Sequence, residues 1–511
     1  MVRDPHRKIK SLEDLTVIAA KAREEGKSVI LCHGVFDLVH MGHVRHFQKA
    51  REQGDILIAT LTTEKHVNKG PGRPVFNDAM RSEMLAALEN VDWVAVSPYP
   101  SAEGVIEALR PSVYVKGSDY ANAEEDVTGK IRDECEMVEK YGGRIVFTED
   151  ITFSSSSLIN EYMNVFDPEL RRYLAEARMR DVESKLISAL DEAAGLRVLI
   201  VGDAIIDEYQ YVQSMGKSAK EDMIATRFKS SELFAGGIFA AANHIASICS
   251  EVEILTVLGG VDSYEKFIRT QLAPNVRLTH LTREDTPTMR KCRYVSTGYL
   301  RKLFEIYYSE DTPIPDAIRA EFVSCIERKA RDFDLIVVTD FGHGLLDDES
   351  IAALTATGKF LCVNAQTNSA NHGYNLITRY PRADFICIDA PEAQLATRDR
   401  FGSIESIITD KLSSLIDCQR FIVTHGQAGC VVYDGTNEVM RIPAFTKAVV
   451  DTVGAGDAFF AVAAPLAAIG APMEVVAFAG NAAGGIEVGI VGHRKFVEKV
   501  PLVKYVATLL K

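Results

Sequence analysis

Apolar runs and amphipathic stretches alternate along most of the chain. Between residues 28 and 160, strand-like runs such as SVILCHGVF, DILIATL and RIVFTED are separated by helix-like stretches. A second alternating series begins at Leu196 with RVLIVGD and continues through DLIVVTD, FICID and FIVTHG. Alternation of this kind predicts parallel sheets covered by helices. We therefore predict an α/β protein with a Rossmann-like domain followed by a doubly wound domain.

The stretch between these two series has a different pattern. Residues 161–195 show helical periodicity, many charges and almost no strand-forming residues, which is typical of a helical linker. The sequence thus predicts an N-terminal extension, a first domain, a linker and a second domain, with the bounds 1–27, 28–160, 161–195 and 196–511.

Composition narrows the class of protein. Of 511 residues, 57 are Lys or Arg and 71 are Asp or Glu, which gives a net charge of -14. Such an acidic balance argues against a nucleic-acid binder or a membrane-surface protein, because both carry a basic footprint. The nine cysteines form no C-x-x-C pair, and the first residues lack the apolar core of a signal peptide. We therefore expect a cytoplasmic, soluble protein of the size of an enzyme.

A first candidate site lies where the strand SVILC runs into Gly34 and a helix-like stretch follows. His40 and His43 would stand near the N-terminus of that helix, which attracts phosphate through its N–H groups and its dipole. Their imidazoles could donate hydrogen bonds to phosphate oxygens as charge develops. Gly42 would let a phosphate or a base approach the backbone.

The competing interpretation is a metal site formed by His40, His43 and His46. No cysteine lies nearby, and the one neighbouring carboxylate, Asp37, precedes the helix. The longer string Gly34–His43 decides between the two interpretations, because it resembles the G-x-F-D-x-x-H-x-G-H signature of the cytidylyltransferase-like nucleotidyltransferases.

Further pieces extend this resemblance toward Ile159. They read K-G-P-G-R-P-V at 69–75, V-K-G-S-D-Y at 115–120 and S-S-S-S-L-I at 154–159. Within the superfamily, they are similar to the adenylyltransferase domain of the bifunctional ADP-heptose synthases. The resemblance therefore favours ATP as the nucleotide, with CTP as the alternative.

The resemblance also implies roles. His40 and His43 would be catalytic, because they would hold the triphosphate and the charge that develops on it. Ser155 and Ser156 sit where family hydroxyls and amides at a helix start meet the nucleotide. The full set of implied nucleotide contacts is Phe36, Asp37, Gly42, Lys69, Arg73, Arg81, Lys116, Ser155 and Ser156.

A second candidate site is the string D-T-V-G-A-G-D at 451–457, which precedes the apolar helix AFFAVAAPLAAIG. Glycines just before a helix direct several N–H groups to one point and so create an anion hole. Asp457 would then sit in the first helical turn. A carboxylate there can orient a hydroxyl and accept its proton as phosphorus is attacked.

This string resembles the second signature of the PfkB/ribokinase family of sugar kinases. The resemblance implies a ribokinase-like fold with a small β lid, which the insert between Tyr209 and Phe234 could form. It implies Asp457 as the catalytic base and Glu392 as an indirect ligand in a Mg²⁺ network. Nucleotide and anion-hole contacts would be Thr424, Gly426, Gly429, Thr452, Gly454, Ala455, Gly456 and Asn481. Sugar contacts would be Asp203, Asp207, Gly236, Gly237, Lys291 and Arg293.

Three departures affect the sugar end of this second site. Ala240 stands where these kinases carry a sugar-binding Asn, and Asn243 would replace it only if the loop shifted. Asp389 begins the family's N-x-x-E motif, and Asn364-Ala365-Gln366 replaces its D-P-K segment. An intact catalytic end with an altered sugar end favours an active kinase with a different or modified sugar.

Taken together, the resemblances imply a bifunctional enzyme of the ADP-heptose synthase type with its domains in reversed order. It would phosphorylate heptose 7-phosphate and couple heptose 1-phosphate to a nucleotide, making a nucleotide sugar for surface polysaccharide. Its partners would be sugar phosphates and nucleotides, with ATP and Mg²⁺, and it would form a homodimer. Two alternatives stay open: a CTP-dependent enzyme acting on a polyol or other sugar phosphate, and a kinase-like domain that only senses sugar or dimerises.

Overall fold

The computed structural model describes residues 4–67, 73–117, 130–148, 159–160, 166–298, 300–310, 312–436 and 439–511. The chain folds into two compact units. One comprises Met1–Pro168 with Val503–Lys511, and the other comprises Glu169–Leu502. Within the described residues, no helix combines the length and the apolar character needed to cross a membrane.

The first unit is a parallel α/β structure. Its five strands pair in the order β3-β2-β1-β4-β5, all parallel. Strand β1 is buried through its first four residues, because apolar layers cover both faces of the sheet. In chain order the elements are α1 Leu12–Glu24, β1 Val29–Gly34, α2 Met41–Arg51, β2 Ile56–Thr62, α3 Asp78–Ala86, β3 Trp93–Ser97, α4 Glu103–Leu109, β4 Val113–Gly117, α5 Lys130–Lys140 and β5 Arg144–Thr148.

Helix α1 lies in the stretch that the sequence assigned to an N-terminal extension. Ser11 caps it by accepting a 3.0 Å hydrogen bond from the Asp14 N–H. Leu15 and Ala19 are fully buried in one of the two apolar layers of the first unit. Residues before 28 therefore contribute to the core of this unit.

The second unit contains a nine-stranded sheet with the order β10-β9-β6-β13-β14-β15-β16-β17-β18. The strands from β10 to β16 are parallel, and β17 and β18 add an antiparallel edge. The strands are β6 Arg197–Gly202, β7 Ala204–Lys217, β8 Ile224–Gly237, β9 Glu251–Val261, β10 Val276–Pro287, β11 Met289–Ser296, β12 Arg301–Tyr308, β13 Leu335–Asp340, β14 Phe360–Ala365, β15 Phe385–Asp389, β16 Phe421–Thr424, β17 Cys430–Tyr433 and β18 Val439–Ile442.

Helices cover this sheet, and a smaller sheet accompanies it. From Pro168 onward, the longer helices of the chain are α6 Pro168–Met179, α7 Val182–Ala193, α8 Ile238–Ala246, α9 Glu265–Gln271, α10 Asp316–Lys329, α11 Asp348–Ala356, α12 Ala390–Thr397, α13 Ala455–Ala468, α14 Met473–Glu487 and α15 Lys499–Leu509; most of α15 belongs to the first unit. Four strands form the second sheet in the order β12-β11-β7-β8. The hairpin of β7 and β8 contains the predicted lid insert, and β11 and β12 complete the sheet. The predicted α/β fold class is confirmed.

Helices α6 and α7 occupy the segment interpreted as a linker. From Glu169 onward this segment belongs to the second unit. Tyr173 of α6 stacks on Phe445 and Phe478, with ring centroids 6.4 and 6.2 Å apart. The segment thus packs as part of the second unit, and its charges lie on the remaining face.

Candidate functional sites

The first candidate site lies at the N-terminus of α2. His40 precedes the helix in extended conformation, and its Nδ1 accepts a 3.1 Å hydrogen bond from the Gly42 N–H. The His40 N–H points to His43 Nδ1 at 3.4 Å. The two imidazole centroids are 4.1 Å apart. The backbone contacts at the start of α2 therefore bring both histidines together.

These contacts fix the tautomers of the two rings. An Nδ1 atom that accepts a hydrogen bond carries no proton, so each neutral imidazole holds its proton on Nε2. Partial burial lowers the pKa of His40. Each ring can therefore present an Nε2–H donor to a phosphate oxygen without bearing a charge.

Phe36 shapes the approach to these histidines. Its φ of 49° is in the left-handed region. Its ring lies edge-on to His43, with centroids 5.4 Å apart. A Cβ on Gly34 would come within 3.2 Å of the Phe36 ring. The glycine at the end of β1 thus leaves room for the aromatic side chain.

Asp37 and Arg73 organise the loop that enters α3. Asp37 is buried, and its Oδ1 accepts hydrogen bonds of 2.8 and 3.1 Å from the Val75 and Phe76 N–H groups. Arg73 NH1 lies 3.6 Å from Asp37 Oδ2, and its NH2 donates to Asn160 Oδ1 at 2.6 Å. In this structure both predicted nucleotide contacts are engaged with the protein.

Arg81 and Lys116 are also engaged. Arg81 is fully buried; its guanidinium donates to the Val35 and Thr62 carbonyls at 2.6 and 3.0 Å and pairs with Asp78. Lys116 forms a 2.8 Å ion pair with Glu134. Arg81 therefore joins the carboxyl ends of the first strands, and a phosphate contact would require it to leave those partners. Lys69, Ser155 and Ser156 lie outside the described residues.

The second candidate site is a cavity of about 310 Å³ in the second unit. Parallel strands end at one edge of a sheet, and ligands bind in the crevice beyond that edge. Strands β14, β15 and β16 end there, so Gln366, Asp389 and Thr424 line the cavity. The anion-hole residues Thr452, Gly454 and Gly456 and the predicted base Asp457 line it as well.

The glycine string forms the expected helix start. Gly454 caps α13 with a φ of 86°, which favours glycine, and Ala455 begins the helix. Asp457 follows in the first turn, and its Oδ1 accepts a 2.8 Å hydrogen bond from Gln366 Nε2. Burial raises the pKa of Asp457 to about 6, against the lowering effects of His493 and Gln366. A carboxylate of this kind is ionised at neutral pH and still basic enough to take a proton.

The predicted sugar end places Asp207 in the cavity. Its Oδ1 pairs with Arg293, and its Oδ2 lies 3.4 Å from His493 Nε2. Although burial raises the pKa of Asp207, Arg293 and His493 hold it below its usual range. A Cβ on Gly236 would lie 2.0 Å from Asp207 Oδ2, so only glycine admits the carboxylate there. Gly237, with a φ of 53°, also lines the cavity.

Lys291 differs from these paired groups. Its side chain lines the cavity and is 8% exposed, and its ammonium lies over the Phe341 and Tyr307 rings at 5.9 and 5.3 Å. Among the described residues it has no ion-pair or hydrogen-bond partner. Burial lowers its pKa. A buried, unpaired cation at a cavity wall is suited to an anionic ligand.

Asp203 is bound to the backbone of the loop that follows β13. Its Oδ2 accepts hydrogen bonds of 2.9 and 3.4 Å from the Phe341 and His343 N–H groups. Burial, followed by repulsion from Asp340, raises its pKa to about 7. Asp203 thus holds the loop after β13 and, unlike Asp207, Gly237, Lys291 and Arg293, is not among the residues that line the cavity.

Glu392 lies in the first turn of α12, directly after the end of β15, and lines the cavity. It forms a capping box with Asp389, and its Oε1 accepts a 3.0 Å hydrogen bond from the Thr367 N–H. Burial and Asp389 raise its pKa to about 8. Nearby, the buried Asn364 Oδ1 has no hydrogen-bond partner among the described residues. Because a cation would stabilise the ionised carboxylates, this group fits an indirect Mg²⁺ network. No cluster of three or more metal-ligating side chains occurs in the described part of the chain.

Three other predicted nucleotide contacts, Gly426, Gly429 and Asn481, are not among the residues that line the cavity. Gly429, with a φ of 88°, packs so closely that a Cβ would meet the Ile442 carbonyl oxygen at 1.9 Å. Gly426 also has a positive φ, of 50°. These two glycines build the turn after Thr424. The buried Asn481 donates a 2.7 Å hydrogen bond to the Pro443 carbonyl, which uses its amide to hold a loop.

The altered sugar-binding position is not compensated by Asn243. This side chain donates to the Gln271 carbonyl and accepts from the Ala273 N–H, both at 2.9 Å. Ala240 is buried in α8. The lining of the described cavity therefore contains no Asn from this helix.

Two residues that the sequence analysis missed line this cavity, and a third, Asp451, connects the glycine string to neighbouring segments. Gln366 comes from the altered Asn364-Ala365-Gln366 segment and contacts Asp457. His493 lines the cavity beside Asp207. Asp451 accepts hydrogen bonds from the Gly492 N–H and from Tyr209, at 3.0 and 2.7 Å. Of these, Gln366 could have been found from the sequence, because it stands in a segment that departs from the family pattern.

Family models match both parts of the chain. The model described as pfkB family carbohydrate kinase matches residues 196–499. The model described as cytidylyltransferase-like matches residues 31–162. Both resemblances inferred from the motifs are thereby confirmed.

Curated relatives carry the name "Bifunctional protein HldE". One from Geobacter metallireducens is 38% identical over 172 residues, which are 33% of this chain and 32% of that protein. One from Geotalea uraniireducens is 39% identical over 160 residues, 31% of each chain. The chain thus covers about a third of the length of these relatives. The crystal structure of phosphofructokinase-2 from Escherichia coli shares the fold of the second part, with a TM-score of 0.50 and 14% identity over 62% of this chain and 100% of that one.

Proposed function

The chain belongs to the pfkB family of carbohydrate kinases, and from this premise we propose a bifunctional sugar-activating enzyme. The second unit would phosphorylate a sugar phosphate from ATP, and the first would couple a sugar 1-phosphate to a nucleotide. The observation that carries the proposal is Asp457 beside the glycine anion hole, in a cavity that also holds Asp207 and Lys291.

The kinase step follows from the charges around this cavity. A sugar hydroxyl attacks the γ-phosphorus of ATP, its proton passes to Asp457, and ADP leaves. The amides at the start of α13 face the charge that develops on the transferred phosphoryl group. Glu392 and Asn364 would hold Mg²⁺ through water, and the cation would neutralise charge on the triphosphate. Gln366 keeps the Asp457 carboxylate oriented.

Lys291 supports a phosphorylated sugar as the kinase substrate. A neutral sugar would leave this buried ammonium unpaired, whereas a phosphate group would pair with it. In line with the ADP-heptose synthase resemblance, we propose heptose 7-phosphate, phosphorylated at its anomeric hydroxyl. Because Asn243 is engaged with backbone groups of the protein, the cavity side chains Asp207, Lys291 and Arg293 would distinguish a related sugar.

The transferase step would use the helix start in the first unit. A sugar 1-phosphate attacks the α-phosphorus of ATP and pyrophosphate leaves, without a covalent enzyme intermediate. His40 and His43 would donate their Nε2–H groups to the phosphate oxygens as charge develops. The product would be an ADP-sugar for surface polysaccharide, and CTP is the alternative nucleotide.

Product mass tests both halves. Purified protein is incubated with Mg²⁺, with ATP or CTP, and with a panel of sugars, sugar phosphates and sugar 1-phosphates that includes heptose 7-phosphate. A heptose bisphosphate, together with ADP-heptose from heptose 1-phosphate, is the expected result. Product from CTP alone would replace ATP in the proposal. No phosphorylation of any member of the panel would reduce the kinase half to a sugar-sensing or dimerising module.

We also propose that the protein pairs through its four-stranded sheet. Phe228, Phe304, Ile306 and Tyr308 are 59%, 53%, 39% and 40% exposed on strands β8 and β12. Apolar side chains grouped on one small sheet are typical of a contact surface. Light scattering should give twice the chain mass, and Phe304→Lys should give the monomer. A monomeric wild-type protein would rule the pairing out.

A further inference from the structure

A buried acidic side chain at the end of α14 has no evident partner. Glu487 is fully buried, and neither of its carboxylate oxygens has a hydrogen-bond partner among the described residues. Its nearest charged neighbour is His493, whose Nδ1 lies 4.0 Å from Glu487 Oε1. A buried carboxyl group without hydrogen bonds is unfavourable, and its presence calls for a role.

His493 connects this carboxyl group to the kinase cavity. The imidazole is 6% exposed and lines the cavity together with Asp457. Its Nε2 lies 3.4 Å from Asp207 Oδ2, on the side opposite Glu487. The three side chains thus form a carboxylate–imidazole–carboxylate row that ends at the predicted sugar contact.

The anion hole is built against the same row. A Cβ on Gly454 would lie 2.6 Å from His493 Cε1 and 3.2 Å from Glu487 Oε1. Gly454 is therefore required by two independent features, its φ of 86° and the ring packed against it. A substitution of His493 would therefore affect the packing both at Asp207 and at the start of α13.

The charges around His493 favour its protonated form. Burial lowers its pKa, but Asp207, Glu487 and Asp457 outweigh burial and raise it. Burial raises the pKa of Glu487 to about 8; His493 opposes this, and Asp457 and Asp451 add to it. The other charged or titratable groups facing this cluster are Arg293 and Lys291 from β11 and His244 from α8.

We infer that His493 is a positioning residue of the kinase site: its protonated imidazole holds Asp207 in place for the sugar hydroxyl, and Glu487, once ionised, keeps that proton on the ring at alkaline pH. This rests on the proposed kinase activity. Arg293 holds Oδ1 of Asp207 and the imidazolium holds Oδ2, so the carboxylate has one orientation. Each oxygen keeps a lone pair with which to accept a hydrogen bond from the substrate.

The test is the pH profile of kcat/KM for the phosphorylated sugar in Glu487→Gln. Above pH about 8 the ionised Glu487 stabilises the protonated form of His493. Removing the Glu487 charge therefore lowers the pKa of the imidazole. The alkaline limb of the profile should therefore move to lower pH, by about one unit. Glu474→Gln is the matched control, because Glu474 lies on the same helix and pairs with Arg180. Its profile should coincide with that of the wild type.

His493→Gln provides a second test. The amide can still donate to Asp207 but carries no charge, so kcat/KM should fall about tenfold, chiefly through KM, and the alkaline limb should move to the higher pH at which Lys291 loses its proton. Glu487→Asp, which keeps the charge, should retain the limb. An unshifted limb in Glu487→Gln, or a limb that stays at the wild-type pH in His493→Gln, would overturn the inference.

Two controls separate this inference from the proposed function. Thermal unfolding of each variant shows whether it folds, and if Glu487→Gln does not, the His493→Gln profile decides. A wild-type protein that phosphorylates no sugar phosphate refutes the kinase proposal itself. An active wild-type enzyme with unchanged variant profiles refutes only the role of His493.

Discussion

The two candidate sites are assembled over very different distances along the chain. In the first unit, His40, Gly42 and His43 lie within four residues and contact one another at the start of α2. In the second unit, the cavity joins Asp207, Lys291, Gln366, Asp457 and His493, which come from separate strands, loops and helices. A local site keeps its geometry through a helix cap, whereas a distributed site depends on the packing of a whole sheet.

The buried cations of the two sites also differ in whether they have protein partners. Arg73 and Arg81, which the sequence offers as phosphate contacts, pair with protein groups in the first unit. Lys291 of the second unit has no such partner within the described residues. Burial with a partner makes a cation structural, and burial without one makes it a candidate for binding an anion.

The largest expected effect comes from Asp457→Asn. Without the base, phosphorylation of the sugar should fall by roughly 10³-fold or more, while nucleotide transfer from a sugar 1-phosphate should be unchanged. Both rates can be measured on the same preparation by product mass. Equal loss of the two activities would show that the sites are not independent.

The converse change is His43→Ala in the first unit. Loss of one Nε2–H donor to the developing charge should slow nucleotide transfer by about 10²–10³-fold and leave the kinase unchanged. His46→Gln is the control, because His46 lies on the same helix and its Nδ1 contacts Thr148 Oγ1 at 2.8 Å. Retention of the transfer rate in His43→Ala would remove His43 from the site.

Arg81→Met sharpens the distinction between structural and binding cations. The Val35 and Thr62 carbonyls and the Asp78 carboxylate would lose their donor, so the first unit should lose about 3 kcal/mol of stability and unfold at lower temperature. Arg132→Met, which removes an exposed pair with Glu136, should leave the melting temperature within error. A raised nucleotide KM at unchanged stability would instead assign Arg81 to phosphate binding.

Lys291→Met removes a buried cation that has no ion-pair partner among the described residues. The KM for the phosphorylated sugar should rise about tenfold, with a smaller effect on kcat, because the change removes one charge-assisted contact. Stability should not fall, since an unpaired buried charge is removed. Lys229→Met on the exposed part of β8 is the control. Equal KM values for the two variants would contradict an anionic substrate at Lys291.

The smallest effect is expected for Gln366→Leu and is best seen in the pH dependence. Asp457 acts in its ionised form and has a pKa of about 6, so the kinase rate should decline as the pH falls below about 6. The Gln366 amide stabilises the carboxylate, and its removal should raise that pKa further. The acidic limb should therefore move to higher pH, with a loss of a few-fold at pH 7. Gln394→Leu should leave the limb in place.

The sequence by itself determined the fold class, the motif order and the two helix starts. These features are local: an apolar run of strand length, glycines before a helix and histidines three residues apart restrict the backbone within a few residues. They were sufficient to place Gly454, Asp457, His40 and His43 and to identify both families.

The tertiary structure decided which charged groups face a ligand. Asp203 and Asp207 are four residues apart in the same motif, yet one carboxylate holds a loop and the other lines the cavity. Gln366 and His493 meet Asp457 and Asp207 only because distant strands end at one edge of the sheet. Pairing and burial depend on such long-range packing, which the local pattern of residues does not encode.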